Sequence, residues 1–347
     1  MRPATKLIKD FIINNVDGHP KDIAGFTARH FGITPQATLL HIKKMLADGA
    51  LVAKGQTRAR EYKLTDKRYS YEYKISEKLS EDRIWSADVA KHFSTFSENV
   101  RHIWDYAFSE MFNNAIEHSC GTTIKVIILQ SAVKTSMLIV DDGIGVFKNI
   151  QTEFDLLNEH EAIFELSKGK LTTNTKAHSG QGIFFTSRAV DRFAIESHGV
   201  VFEHNLTDGQ GIDVLFGYMN EAPKHNGTAV FMSLNNNSNR VLRDVFDDFS
   251  VDDYGFDKTV IPIALARYGD DFLISRSQAR RVLSRINLFK NVVLDFKDVP
   301  QIGQAFADEI FRVFTNAHPD IIIKYIGANK DVEKMILRAK SSNLGDL

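Results

Sequence analysis

The sequence predicts a multidomain α+β protein of three units, and three observations carry that prediction. At 347 residues the chain is long enough for two or three ordinary domains. The local pattern changes twice: short helical segments come first, then long strands around one long apolar helix, then strands alternating with helices from about residue 258. Charge divides the chain as well. Residues 1–70 carry 13 Lys and Arg against 6 Asp and Glu, and the remainder carries 30 against 38. A basic segment joined to an acidic body points to an anionic partner at one end.

Bulk composition narrows the class further. Hydrophobic content of 43% and charged content of 25% are ordinary for a globular protein. The longest apolar runs, such as "VVLDF", are strand-sized, so no membrane span is expected. The start, "MRPATKLIKDF", lacks the apolar core of a secretion signal. The single cysteine, Cys120, forbids an internal disulfide and suits a reducing cytoplasm, the expected location.

Three helical patterns open the chain. "TKLIKDFIINNV" stops at the turn residues "DGHP", and "KDIAGFTARHFG" ends in a glycine suited to a helix C-cap. "TPQATLLHIKKMLADG" starts with Thr34 as N-cap and Pro35 at the first helical position. A strand, a Lys-Gly turn, a basic stretch and a second strand follow in "ALVAKGQTRAREYKLTD". This order resembles a winged helix-turn-helix, assigned to residues 1–68. The resemblance implies DNA binding, with Thr34, Gln36, Thr38 and His41 facing base edges. Lys43 and Lys44, with Lys54, Arg58 and Arg60 of the wing, would neutralise phosphates. Residues 69–85 ("RYSYEYKISEKLSEDRI" and its neighbours) show no clean period and read as a connector.

The middle segment, 86–250, poses a sharper question. In "VRHIWDYAFSEMFNNAIEHS" the positions Tyr106, Ala107, Phe108, Met111, Phe112, Ala115 and Ile116 make a wide apolar face, yet Glu110, Asn113, Asn114 and Glu117 form a polar stripe beside it. Two strands follow, the second ending in Asp141-Asp142-Gly143-Ile144-Gly145. Further on, a Gly-, Thr- and Lys-rich loop closes on Ser179-Gly180-Gln181-Gly182, and Asn226-Gly227-Thr228 precedes another strand. Each piece alone is weak. In this order they resemble the ATP-binding domain of the GHKL superfamily, which includes gyrase, histidine kinases and anti-sigma serine kinases.

The GHKL resemblance implies an α/β sandwich with helices on one face of a mixed sheet, and ATP with Mg²⁺ as ligands. Asn114 takes the metal-ligand place, since Mg²⁺ wants a few oxygens and shares phosphates with its substrate. Glu110 stands where the family's ATPases hold a general base. Asp141 matches the carboxylate that accepts from the adenine amino group, and Gly143 and Gly145 let backbone pass close to the base. Gly180 and Gly182 offer backbone N–H groups to phosphates at a helix N-terminus. Thr228 matches a hydroxyl that positions the base through water. Lys168, Lys170 and Thr172 to Thr175 fall in the loop over the triphosphate, and His118 follows Asn114 by one turn. No helical hairpin with a phospho-accepting histidine precedes this unit in the sequence. His102 lies on the Glu110–Asn114 helix itself, a poor acceptor position.

From 255 to 347 the alternation predicts a small α/β domain with a mixed sheet. "VVLDFKDVPQIGQAFADEIF" resembles the STAS fold of anti-sigma-factor antagonists, and looks closest to a STAS-like domain often found beside this kind of ATPase. Antagonists carry a phosphorylatable Ser where this chain reads Ile302-Gly303-Gln304-Ala305-Phe306, without a hydroxyl. Gln304, Asp308 and Glu309 are candidates for a surface that meets a protein partner, and a solvated acidic face is the competing reading. The leading expectation is a regulator that couples nucleotide state to DNA binding, with or without slow hydrolysis. A serine/threonine kinase acting on a separate partner, and a defence or stress ATPase, remain the alternatives, and homodimerisation stays open.

Overall fold

The computed structural model describes residues 3–56, 60–171, 180–205, 227–250, 256–267 and 272–341. At the N-terminus, helices α1 (Pro3–Asn15), α2 (Ile23–Phe31) and α3 (Pro35–Ala47) precede strands β1 (Leu51–Lys54) and β2 (Glu61–Leu64). The boundaries follow local chemistry. Gly32 ends α2 in the left-handed conformation at φ 64°, and the Thr34 hydroxyl caps α3 by accepting from the Ala37 N–H at 3.2 Å. Ile8, Ile12, Val16, Ile23, Ile42, Met45 and Leu51 form the core of this unit, and β1 and β2 pair antiparallel beside it.

The middle unit is built on a six-stranded sheet in the order β3-β4-β5-β8-β6-β7. Its strands are β3 (Lys67–Lys74), β4 (Thr123–Gln130), β5 (Lys134–Asp141), β6 (Arg192–Ser197), β7 (Val200–Asn205) and β8 (Ala229–Asn235). Every described pairing in it is antiparallel, where a mixed sheet was expected. Strand β3 falls largely in the stretch read as a connector, yet it pairs with β4 along its whole length, from Lys67 opposite Gln130 to Lys74 opposite Thr123. Its signal is the alternation Tyr69, Tyr71, Tyr73. These rings turn toward the core, where Tyr71 meets the His92 ring nitrogen at 2.7 Å and the Tyr73 hydroxyl donates to Asp88 at 2.9 Å.

After a short helix α4 (Glu81–Ile84), the long helix α5 (Glu98–His118) lies across one sheet face. Ile103, Trp104, Ala107, Phe108, Met111, Phe112 and Ala115 are buried against Ile124, Val126, Met137, Ile139, Phe193, Ile195 and Met232. Each of the larger side chains contributes about 1.5–3 kcal/mol by burial, which outweighs the helix's polar stripe. Helices α6 (Val146–Glu153), α7 (Glu159–Lys168), α8 (Gly182–Ala189) and α9 (Leu242–Asp247) complete this unit.

The C-terminal unit contains β9 (Lys258–Pro262), α10 (Arg276–Leu283), β10 (Asn291–Asp295), α11 (Gln304–Asp308), β11 (Ile322–Ile326) and α12 (Lys330–Ser341), with α11 running on through a π-helical stretch at Glu309–Phe314. Its three strands lie in the order β11-β10-β9 and are all parallel, correcting the expected mixed sheet. Leu273 adds a single parallel bridge to Ile302. Phe164, Phe184 and Phe185 of the middle unit belong to the same buried cluster as Val292, Leu294, Phe306 and Ile336. The two units share a core. No described helix is long and apolar enough to cross a membrane.

One partly buried imidazole should make the stability of this fold depend on pH. His204 on β7 has its Nδ1 buried with no hydrogen-bond partner among the described residues. Burial, reinforced by the Arg188 charge, pushes its pKa down from 6.5 to about 4. The unfolded chain therefore binds the extra proton first as pH falls. His204's contribution to stability is complete above pH 6.5 and is lost progressively down to about pH 4. The loss amounts to about 3 kcal/mol. Urea unfolding across this range should show that slope, and His204→Gln should flatten it.

Candidate functional site

The site is a cavity of about 240 Å³ between α5, the β5, β6 and β8 end of the sheet, α6 and the start of α8. Helix α5 contributes Glu110, Asn114 and His118, four residues apart and so stacked on one face. Asn113 and Glu117 do not line it: the Asn113 amide donates to Glu117 at 3.3 Å on the outer side. Apolar walls come from Met111, Ala115, Ile139, Val146, Ile150, Leu166, Leu171, Ile195 and Val230, the last pair placed by the antiparallel register of β6 and β8.

Asp141 closes the deep end. It ends β5, is 6% exposed, and its Oδ1 accepts the N–H groups of Gly143 at 2.9 Å and Thr228 at 3.1 Å. The Thr228 hydroxyl in turn accepts the Val146 N–H at 3.0 Å, fixing the first turn of α6. Asp142, next in the chain, faces the other way. Some desolvation pushes its pKa up, but hydrogen bonds from the N–H and O–H groups of Thr122 and Thr123 outweigh this and hold it well below the usual carboxylate range.

The glycines show how tightly this end is built. A Cβ on Gly143 would stand 2.0 Å from the Ser119 carbonyl oxygen, and one on Gly227 would stand 2.1 Å from the Asp141 carbonyl oxygen. Gly145 sits at φ 83°, where only glycine is unstrained, and packs on Ser197. At the other end of the cavity, Gly180, Gln181 and Gly182 bring backbone to the wall where α8 begins. A Cβ on Gly182 would meet Glu110 Oε2 at 2.1 Å, so that carboxylate rests against the positive end of α8. The cavity thus has apolar walls, the buried Asp141 carboxylate at one end and the Glu110 carboxylate against the start of α8 at the other, with Asn114 and His118 also lining it.

Most of the expected cavity residues converge. Glu110, Asn114, Asp141, Gly180, Gly182 and Thr228 line the cavity, and Gly143 and Gly145 shape the turn beneath it. Lys168 does not. It is 1% exposed and donates to Glu165 at 2.6 Å and to the carbonyls of Ser284 and Arg281 at 3.0 and 3.1 Å, away from the cavity. Lys170 likewise donates to the Leu288 carbonyl at 2.7 Å. Thr172 lies outside the described residues, as do Thr173 to Thr175. Asn149 lines the cavity without having been foreseen; its amide donates to the His118 carbonyl at 3.2 Å. Its place four residues beyond Gly145, one turn into α6, was the available signal.

On the N-terminal unit, Gln36, Lys43 and Lys44 lie exposed along α3, with His41 half-buried on the same helix and Thr34 at its cap. Lys54 and Arg60 are exposed on and beside the β1–β2 hairpin, Arg60 over the Tyr62 ring at 5.4 Å. Thr38 is a correction: it is fully buried inside the three-helix core and presents nothing to a ligand. Arg58 lies outside the described residues.

In the C-terminal unit Asp308 and Glu309 are engaged in ion pairs, Glu309 with Arg280 at 2.8 Å and Asp308 with Arg312 at 2.7 Å, rather than standing free on an acidic face. Parallel strands joined through helices, with α11 following β10, make this unit a small α/β domain. Residues 278–333 match the family described as a STAS-like domain of unknown function (DUF4325), so this part of the chain is a STAS-like domain. A comparison with curated proteins finds no match to the chain.

The close contacts predict a contrast. Gly143→Ala drives a methyl into backbone and should cost on the order of 3 kcal/mol of stability by chemical denaturation. Gly182→Ala should cost less, because only the end of Glu110 has to move.

Proposed function

We propose that this protein is an ATP- and Mg²⁺-binding regulator of the GHKL type, whose nucleotide state is coupled to DNA binding through an N-terminal winged helix. One observation carries the reading. Four segments far apart in sequence, around Glu110–Asn114, Asp141–Gly145, Gly180–Gly182 and Gly227–Thr228, meet in one cavity or directly beneath it.

The residues suit the ligand. An apolar slot ending in a carboxylate fits a flat base that donates from an exocyclic amine, so Asp141 accepts that hydrogen bond and Thr228 supports it. The glycine cradle lets the base approach backbone. Gly180 to Gly182, at the start of α8, offer N–H groups to phosphate oxygens. Among the described residues no three or more His, Cys, Asp or Glu converge as a metal site. Asn114, on the α5 wall of the cavity, would hold Mg²⁺ together with the phosphates, in the manner this ion prefers. Glu110, beside it, takes the proton of an attacking water if hydrolysis occurs.

Coupling to the N-terminal unit has a short route. Only Thr65 and Asp66 separate β2 from β3, and β3 is the edge strand of the sheet that bears Asp141. Asp17 of the N-terminal unit also meets Lys134, the first residue of β5, at 3.5 Å. Exposed Lys43, Lys44, Lys54 and Arg60 support phosphate contacts on the DNA side.

The reading is tested with γ-labelled ATP, Mg²⁺ and the full chain. Asn114→Ala should weaken Mg²⁺-dependent retention of nucleotide on the order of a hundredfold. If phosphate is released, Glu110→Ala should slow it by on the order of 10²–10⁴-fold while ATP is still retained. Label on a protein would favour a kinase, and no retention by the wild type would overturn the nucleotide reading. Separately, fluorescence anisotropy on duplex DNA should show affinity falling steeply with salt, with Lys43→Ala and Lys44→Ala each lowering the log–log slope by about 1. No binding at low salt would overturn the DNA half.

A further inference from the structure

The two lysines that sequence alone aimed at the triphosphate instead reach into the STAS-like domain, and they do so from the wall of the cavity. Leu166 and Leu171 both line it. Between them, Lys168 and Lys170 point out of it. Lys168 is held by Glu165 at 2.6 Å and by the carbonyls of Arg281 and Ser284. Its own carbonyl accepts the Thr259 hydroxyl of β9 at 2.6 Å. Arg285 binds Glu165 at 3.3 Å with one nitrogen and the Lys170 carbonyl with the other. Arg281 adds a pair with Glu161 at 3.3 Å.

Backbone geometry is committed to the same junction. Gly169 sits at φ 82°, and a Cβ there would be 2.8 Å from Phe256 and 2.9 Å from Phe184. Phe184 is itself a cavity residue, packed on Phe256 with ring centroids 4.7 Å apart. Arg285 adopts φ 62°, an uncommon conformation for a side chain of that size. Lys168 and Glu165 are almost wholly buried. Charges at such depth persist only where every partner is in place.

We infer that the STAS-like domain is an integral part of the nucleotide site, with Arg285, Glu165 and Lys168 as positioning residues that hold the Leu166–Leu171 wall in its binding shape. This inference rests on the nucleotide reading above. Affinity for ATP and the packing of α10 and Ser284–Phe289 are then linked, each stabilising the other. A ligand or partner that shifts this part of the STAS-like domain changes nucleotide affinity, with no contact to the nucleotide.

Two measurements on the full-length protein test it. Arg285→Asn removes the guanidinium, keeps a residue that tolerates φ 62°, and leaves Glu165 paired with Lys168. Measured below the melting temperature of the ATP-free variant, it should weaken ATP binding about tenfold by fluorescent-nucleotide titration. In the wild type, hydrogen exchange at amides 276–289 should slow on adding Mg²⁺ and ATP, although none of those residues lines the cavity. Wild-type affinity in the variant overturns the inference, as does exchange at 276–289 that ignores ATP. A wild-type protein that binds no ATP overturns the nucleotide reading and this inference with it.

Discussion

One buried carboxylate oxygen organises the centre of this molecule. Asp141 Oδ1 takes two backbone N–H groups, from the turn that follows β5 and from the residue that precedes β8. A carboxylate 6% exposed is stable only with such partners, and the partners are backbone. The constraint therefore propagates. It fixes the ends of two neighbouring strands, requires glycine at 227, and through Thr228 sets where α6 starts. The floor of the cavity is assembled by the same bonds that keep Asp141 inside.

A second constraint acts from the opposite wall. Helices α7 and α8 bury one side against the six-stranded sheet's unit and the other against the STAS-like domain, whose core includes Phe164, Phe184 and Phe185. The ion pairs of Glu161 and Glu165 with Arg281 and Arg285 run along that seam. A boundary of this kind is closer to a continuous core than to a linker. The N-terminal unit is joined differently, by two residues that lead into an edge strand and by the pair of Asp17 with Lys134.

Much of the site was legible because its signals are local. The polar stripe of α5 follows from helical period alone, and glycines at 143, 145, 180, 182 and 227 announce close backbone approaches wherever they fall. Helix caps at Thr34 and Gly32 are likewise chemistry between neighbours in the chain. What local pattern does not carry is the choice of distant partners. A lysine beside a Gly- and Thr-rich loop looks the same whether it reaches a phosphate or a carbonyl of another domain, and Lys168 reaches the carbonyls. Thr38 lies on a helix whose outer face is basic, but the docking of α3 on α1 and α2 turns its hydroxyl inward.

The sequence by itself determined the caps of α2 and α3, the apolar face of α5, and the glycines where backbone passes close, since each depends on a few consecutive positions. Only the tertiary structure decided that β3 joins the sheet rather than linking two domains, that the C-terminal strands run parallel, and that the cavity wall is shared with the STAS-like domain. Those outcomes depend on which surfaces bury one another, an energy summed over residues more than a hundred positions apart, as in the pair of Glu165 with Arg285.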